Sequence, residues 1–258
     1  MSWASRFARG HARVSVAAHR ALQAADGVVA GLLDGALSTE QKSQLGVSLY
    51  DAAPHYRESG RLFGWEERWF ADRLPDAPGR ILVGACGVGR EVVALAEAGH
   101  DVHGFEPAGS LLRLAAERAP SATLWSDSYE SWLDRNGADR YDAVLLGWGS
   151  LSHVLDAQKR RELLQRASDL CPSGPILASY WARSTAPEAA RARRLGAAIG
   201  ARLGSGPTLG DAYLPNIGFV HPFDEAELVG LADDCGRVLR IEGGPSDYPH
   251  ATFEAKDA

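Results

Sequence analysis

The chain has 258 residues, 45% of them apolar and 23% charged, and a net charge of −6. That balance belongs to a globular protein able to bury a core of its own. The negative sign argues against a partner gripped through its phosphates, so no nucleic-acid role is expected. The three cysteines, Cys86, Cys171 and Cys235, stand far apart. Their spacing excludes a disulfide framework and a zinc knuckle, and suits a reducing cytoplasm. No run of 18 apolar residues exists, so no membrane span is expected.

Residues 1–78 read as a helical extension. Four arginines and no acid precede Asp26, a composition that superficially matches an organellar transit peptide. The same Ala/Arg bias returns at Ala189–Arg202, so an amphipathic helix is the plainer reading. Val14, Ala17, Ala18, Ala21 and Leu22 recur at helical spacing, as do Val28, Val29, Leu32 and Leu33. Trp65, Trp69 and Phe70 form an aromatic stripe before Pro75 and Pro78 end the region.

From Arg80 the pattern changes to short apolar runs alternating with helical stretches. Strands are expected at Ile81–Val83, Asp101–Phe105, Thr123–Trp125, Ala143–Trp148 and Pro175–Trp181. Helices are expected at Arg90–Ala98, Leu111–Arg118, Tyr129–Arg135 and Ala157–Leu170. Such alternation makes βαβ units and a parallel sheet covered on both faces, an α/β fold. Residues 183–222 interrupt it and read as one helix and a long loop. Asp224 then caps a late helix, and Val238–Ile241 with Ala251–Phe253 reads as a closing hairpin.

The motifs lie where the expected strands end. Ile81-Leu-Val-Gly84-Ala85-Cys86-Gly87-Val88-Gly89-Arg90 is an apolar strand, a glycine-dense turn and a helix start. Ligands of open α/β sheets bind at such strand ends, where glycine lets the backbone approach and helix N–H groups point outward. Seventeen residues after Gly89 comes Glu106, followed by Pro107, at the end of the second strand. A carboxylate there can accept hydrogen bonds from both hydroxyls of a ribose. The dinucleotide pattern G-x-G-x-x-G fails, because its third glycine would be Val92.

These features resemble the class I S-adenosylmethionine-dependent methyltransferases. The resemblance spans residues 80–258 in element order and is specific at 81–91, 102–107 and 141–150. It implies a Rossmann-like fold with a seven-stranded, mostly parallel sheet ending in an antiparallel hairpin. The implied cofactor is S-adenosylmethionine, leaving as S-adenosylhomocysteine. Gly84, Ala85, Gly87 and Gly89 would border it, Glu106 and Pro107 would hold the ribose side, and Asp127 the adenine amino group. Gly147 and Trp148 would pass beneath the sulfonium, Trp148 serving as a shaped wall or as ordinary core filler. The chain departs from the family at Val83, where an acid is usual, and at Ala85, where glycine is usual.

Methyl transfer needs a general base only when the acceptor arrives protonated. His153 and His221 are candidates by position, with His55 a weaker third. Tyr50 and Tyr56 flank a Tyr-Asp segment that such enzymes place over the cofactor as a lid. Ser150, Tyr213 and Phe219, with Tyr56, are candidate acceptor contacts. The acceptor is expected to be a small molecule or short peptide, with oxygen or nitrogen methylated. A nicotinamide-dependent oxidoreductase and a catalytically silent cofactor-binding subunit are the alternatives. No metal site is expected, and no membrane partner.

Overall fold

The structure, a computed structural model, describes residues 3–52, 60–135, 139–183, 190–204, 210–244 and 246–256. Three helices come first: α1 (Trp3–Ala36), α2 (Thr39–Ala52) and α3 (Gly64–Arg73). The alternating region follows as β1 (Arg80–Gly84), α4 (Arg90–Glu97), β2 (Asp101–Phe105), α5 (Gly109–Arg118), β3 (Thr123–Trp125), α6 (Tyr129–Leu133), β4 (Ala143–Leu146), α7 (Ala157–Leu170) and β5 (Ile176–Ser179). Then come α8 (Ala190–Gly200), β6 (Ala212–Leu214), β7 (Gly218–Val220), α9 (Glu225–Asp234), β8 (Arg237–Glu242) and β9 (His250–Ala255). No described helix is long and apolar enough to cross a membrane.

Seven strands make one sheet in the order β3-β2-β1-β4-β5-β9-β8. The first five in that order run parallel, and β9 lies antiparallel to both β5 and β8. Central strands β4 and β5 are buried along their whole length, which is why they read as unbroken apolar runs rather than as alternation. Neighbouring residues of one strand serve opposite layers. Leu82, Val144 and Leu146 pack with Leu163, Leu164 and Phe253, whereas Ile81, Val83 and Leu145 pack with Val92, Leu95, Trp65 and Trp69. The aromatic stripe of α3 thus belongs to the core. Trp69 donates from Nε1 to Thr252 Oγ1 at 2.8 Å, and Trp65 stacks on His250.

The sequence expectations for the sheet hold, including the closing hairpin and the Asp224 cap, whose side chain accepts from the Glu227 N–H at 3.0 Å. One expectation does not. The loop foreseen after α8 contains a two-stranded antiparallel hairpin, β6 with β7. A strand of three residues is marked by its neighbours: β3 stands within the strand–helix alternation, whereas β6 and β7 lie outside it. The positions from Val14 to Leu22 are helical, as their spacing predicts, and Val14, Val16 and Leu22 are exposed. Burial of α1 begins at Gly27, where the helix meets α8.

That meeting is unusually close. A Cβ on Gly31 would lie 2.0 Å from the Arg193 carbonyl oxygen, and one on Gly196 would lie 2.1 Å from that of Val28. Glycine is required on both sides for the backbones to touch. Beside this contact, Asp34 of α1 binds Lys42 of α2 at 2.7 Å and Arg193 of α8 at 3.1 Å. Lys42 and Asp34 are both buried. Removing one partner of a buried pair leaves the other charge uncompensated. We therefore expect Asp34→Ala to destabilise the fold by about 3–5 kcal/mol. Urea denaturation checks this, and a loss below about 1 kcal/mol, the ceiling for an exposed pair, would contradict it.

Candidate functional site

The carboxyl ends of β1, β2 and β4 open on a cavity of about 990 Å³. Beyond β1 the backbone turns through left-handed conformations at Ala85 (φ 49°), Gly87 (φ 56°) and Gly89 (φ 81°). At Gly87 a Cβ would meet nothing within 4 Å, so this position presents bare backbone to the cavity. Gly89 answers a different need. Its Cβ would fall 2.9 Å from Ala115 Cβ, so the residue lets α4 pack on α5 and does not line the cavity, contrary to the expectation for it. Ala85 does line it, and holds with a Cβ a conformation that costs an L-residue about 1–2 kcal/mol.

Glu106 closes the next side. Its Oε2 accepts from the Gly87 N–H at 2.9 Å and its Oε1 from the Ala108 N–H at 2.8 Å. The residue is 5% exposed. Burial raises its pKa to about 7, against the pull of the two N–H groups and with a small push from Asp51. Gly84 and Pro107 border the same space. Asp51 stands at the end of α2, where its Oδ1 accepts from the Ser110 N–H at 2.7 Å in the first turn of α5.

The opposite wall follows β4. Gly147, Trp148 and Ser150 line the cavity, and Trp148 takes φ 42°, a strained value for a bulky residue. The residue is 37% exposed, which excludes the core-filler reading. It meets Phe63 edge-on at 5.6 Å and the Arg90 guanidinium at 5.1 Å. Ser150 Oγ accepts from the Tyr129 hydroxyl at 2.7 Å. A 3-10 turn at Ser150–His153 then aims His153 inward. Its Nε2 lies 3.0 Å from the hydroxyl of Tyr50, on α2. Removal from water lowers the His153 pKa to about 4, against a backbone hydrogen bond to Phe219. The ring is therefore neutral at pH 7. With one nitrogen turned to the Phe219 backbone, Nε2 is the acceptor for the Tyr50 hydroxyl. Two candidate catalytic residues from distant parts of the chain thus meet.

Other candidates lie elsewhere. Phe219 lines the cavity, while Tyr213 packs on its ring at 5.2 Å from behind. Asp127 pairs with Arg135 at 2.6 Å and does not reach the cavity. The adenine contact expected of it has no basis in this geometry. Tyr56 and His55 lie outside the described residues. Asp51, of the Tyr-Asp segment, lines the wall, and so do residues that the sequence reading gave no role: Arg90, Glu91, Trp181 and Tyr248. Arg90 and Glu91 look in the sequence like ordinary first-turn helix residues, and nothing local marks them as buried.

His221 is not a cavity residue either. Its Nδ1 meets Asp211 at 3.0 Å and its Nε2 meets Glu227 at 2.9 Å. A ring held at both nitrogens by carboxylates has no lone pair free for a substrate. Burial opposes its charge, but the hydrogen bonds to Asp211 and Glu227 win, so its pKa lies above 6.5. The stability this proton contributes is complete below the unfolded value and is lost as pH rises through the raised one. We expect the melting-temperature gap between wild type and His221→Gln to be wide at pH 6 and narrow at pH 9. A gap that does not change with pH would refute the charged clamp.

No family model matches the chain, and no curated protein matches it. Solved structures do. An amino pentose methyltransferase from Micromonospora echinaspora, bound to S-adenosylmethionine, is 16% identical over 74% of this chain and 88% of its own, with a TM-score of 0.54. A 1,6-didemethyltoxoflavin N1-methyltransferase from Burkholderia thailandensis, bound to its substrate and S-adenosylhomocysteine, is 17% identical over 82% and 84%, also at 0.54. A protein described as a putative Zn-dependent alcohol dehydrogenase from Rhodobacter sphaeroides is 13% identical over 83% and 97%, again at 0.54. With its strand order and its antiparallel last pair, the chain has the Rossmann-like fold of the class I S-adenosylmethionine-dependent methyltransferases.

Proposed function

We propose that the protein transfers a methyl group from S-adenosylmethionine to an oxygen or nitrogen of a small-molecule acceptor. One observation carries the reading: a single cavity joins the bare Gly87 turn, the Glu106 carboxylate and the Tyr50–His153 pair. Its volume, about 990 Å³, has room for a nucleoside cofactor with a compact acceptor beside it. The methyltransferases named above act on small molecules by their descriptions, which supports the acceptor class. The described neighbour named as a dehydrogenase keeps nicotinamide chemistry as the second reading. Against it, Val92 fills the place of the third dinucleotide glycine and is fully buried in the core.

The residues fit the cofactor as follows. Gly87 lets the nucleoside lie against the backbone, and Glu106, when ionised, offers its remaining acceptor capacity to the ribose hydroxyls. The cofactor when bound supplies a methyl group already activated on sulfur. Alignment is then the main requirement of the protein, met by the rigid strand ends and by Trp148. His153 is neutral at pH 7 and its Nε2 accepts from the Tyr50 hydroxyl, so it takes the acceptor's proton by relay: the hydroxyl passes its own proton to Nε2 as it receives the acceptor's. Phe219, Trp181 and Tyr248 keep water from the transfer site.

Calorimetry with S-adenosylmethionine, S-adenosylhomocysteine and NAD tests the reading: the first two should bind and NAD should not. Ribose hydroxyls need acceptors, and protonated Glu106 turns one of its oxygens into a donor. Affinity for S-adenosylhomocysteine should therefore fall as pH drops below about 7, the Glu106 value. At pH 8, Glu106→Gln should weaken binding by about 1.5–3 kcal/mol, the worth of hydrogen bonds to a charged group, and should flatten the pH profile. An unchanged profile in this variant would remove Glu106 from the site. For a hydroxyl acceptor found by screening, His153→Ala should lower turnover by about 10²–10⁴ while leaving cofactor affinity almost intact. A wild-type rate in this variant would exclude His153 as the base.

A further inference from the structure

We propose that Glu91, in the first turn of α4, is the anionic group that holds the α-ammonium at the methionine end of the cofactor. The assignment rests on the reading under Proposed function and adds a residue that motif spacing does not suggest. An ammonium taken into a partly buried cleft needs an opposite charge or several acceptors. Where an acid would stand on β1, this chain has Val83, which is buried in the core. Of the other carboxylates, Glu106 stands at the end of β2, where its acceptor capacity beyond Gly87 and Ala108 is assigned to the ribose. Asp51 is engaged with Ser110 on the α5 side.

Glu91 is buried, yet lines the cavity. Its Oε1 accepts from Arg90 Nη2 at 2.7 Å, and its Oε2 accepts no hydrogen bond from any other described residue. The carboxylate reaches under the end of β4. A Cβ on Gly147 would lie 2.8 Å from Oε1, so a side chain at Gly147 would drive it away. The small residue at 147 therefore makes room for the acid from α4, between the ends of β1 and β4.

Charge counting points the same way. Arg90 is shared between two carboxylates. Its guanidinium grips Glu66 with both terminal nitrogens, one of them at 2.8 Å, and also binds Glu91. The rings of Phe63 and Trp148 flank it at 4.5 and 5.1 Å, which fixes its place. One buried cation facing two buried acids leaves one negative charge in excess. That excess holds above about pH 7, because burial and the Glu91 charge push the Glu66 pKa up to about 7, against the pull of Arg90. The other cavity-lining lysines do not supply the missing cation, because Lys42 is bound to Asp34 and Lys159 to Glu162. A ligand ammonium beside Oε2 would supply it.

The test compares S-adenosylhomocysteine with its deaminated analogue, in which hydrogen replaces the α-ammonium, by calorimetry at pH 8. Wild type should bind S-adenosylhomocysteine at least about ten-fold more tightly than the analogue, the discrimination expected of one charge-assisted hydrogen bond. Glu91→Gln should lose most of that preference by weakening S-adenosylhomocysteine alone. Equal affinity of wild type for the two nucleosides would overturn the assignment, whether or not the variant folds. So would a Glu91→Gln protein that keeps the preference, or one that loses affinity for both equally. Failure of wild type to bind either nucleoside would overturn the function reading and this assignment together, so the two failures are distinguishable.

Discussion

A buried carboxylate at the end of β2 organises the cavity. Glu106 is almost wholly removed from water, which is costly unless its oxygens are hydrogen-bonded, and the backbone meets that demand with the N–H groups of Gly87 and Ala108. One side chain thus ties the turn after β1 to the start of α5. The left-handed path from Ala85 to Gly89 is held in place by this tie and by the close packing of Gly89 on Ala115. Burial also leaves the Glu106 charge only marginally stable near neutrality, so the residue is tuned to gain partners rather than already saturated.

The remaining walls come from parts of the chain outside the βαβ units. α2 brings Tyr50 and Asp51, and the β6–β7 hairpin brings Phe219. α2 is tied to α1 by the buried Asp34–Lys42 pair, and the hairpin to α2 by Lys42, which lies 5.1 Å from the centre of the Phe219 ring. Tyr50 is consequently a wall residue within a regular helix, bonded to His153 on one side and preceding the Asp51–Ser110 contact on the other. The rest of the Tyr50–Tyr56 segment, from residue 53 on, lies outside the described residues.

Much of this was legible from local signals. Apolar runs placed every strand of the large sheet, and the glycine turn and Glu106 marked where the cavity lies. Errors arose where the decisive fact is a long-range partner. Asp127 has the right place in the sequence, but Arg135 takes its carboxylate. His221 precedes a helix just as a base might, but Asp211 and Glu227 enclose it. Glu91 was passed over for the converse reason: an acid in a first helical turn is common, and only the fold shows it reaching beneath Gly147. The hairpin at 212–220 escaped because its short strands lie outside the strand–helix alternation that marked the equally short β3.

A crystal structure with S-adenosylhomocysteine bound would test the central claim most directly. The account predicts the nucleoside in the cavity at the ends of β1 and β2. Its ribose should lie within hydrogen-bond reach of Glu106 and its sulfur toward Trp148, His153 and the Tyr50 hydroxyl. Density for the ligand elsewhere on the protein, or in this cavity with the ribose turned away from Glu106, would contradict it.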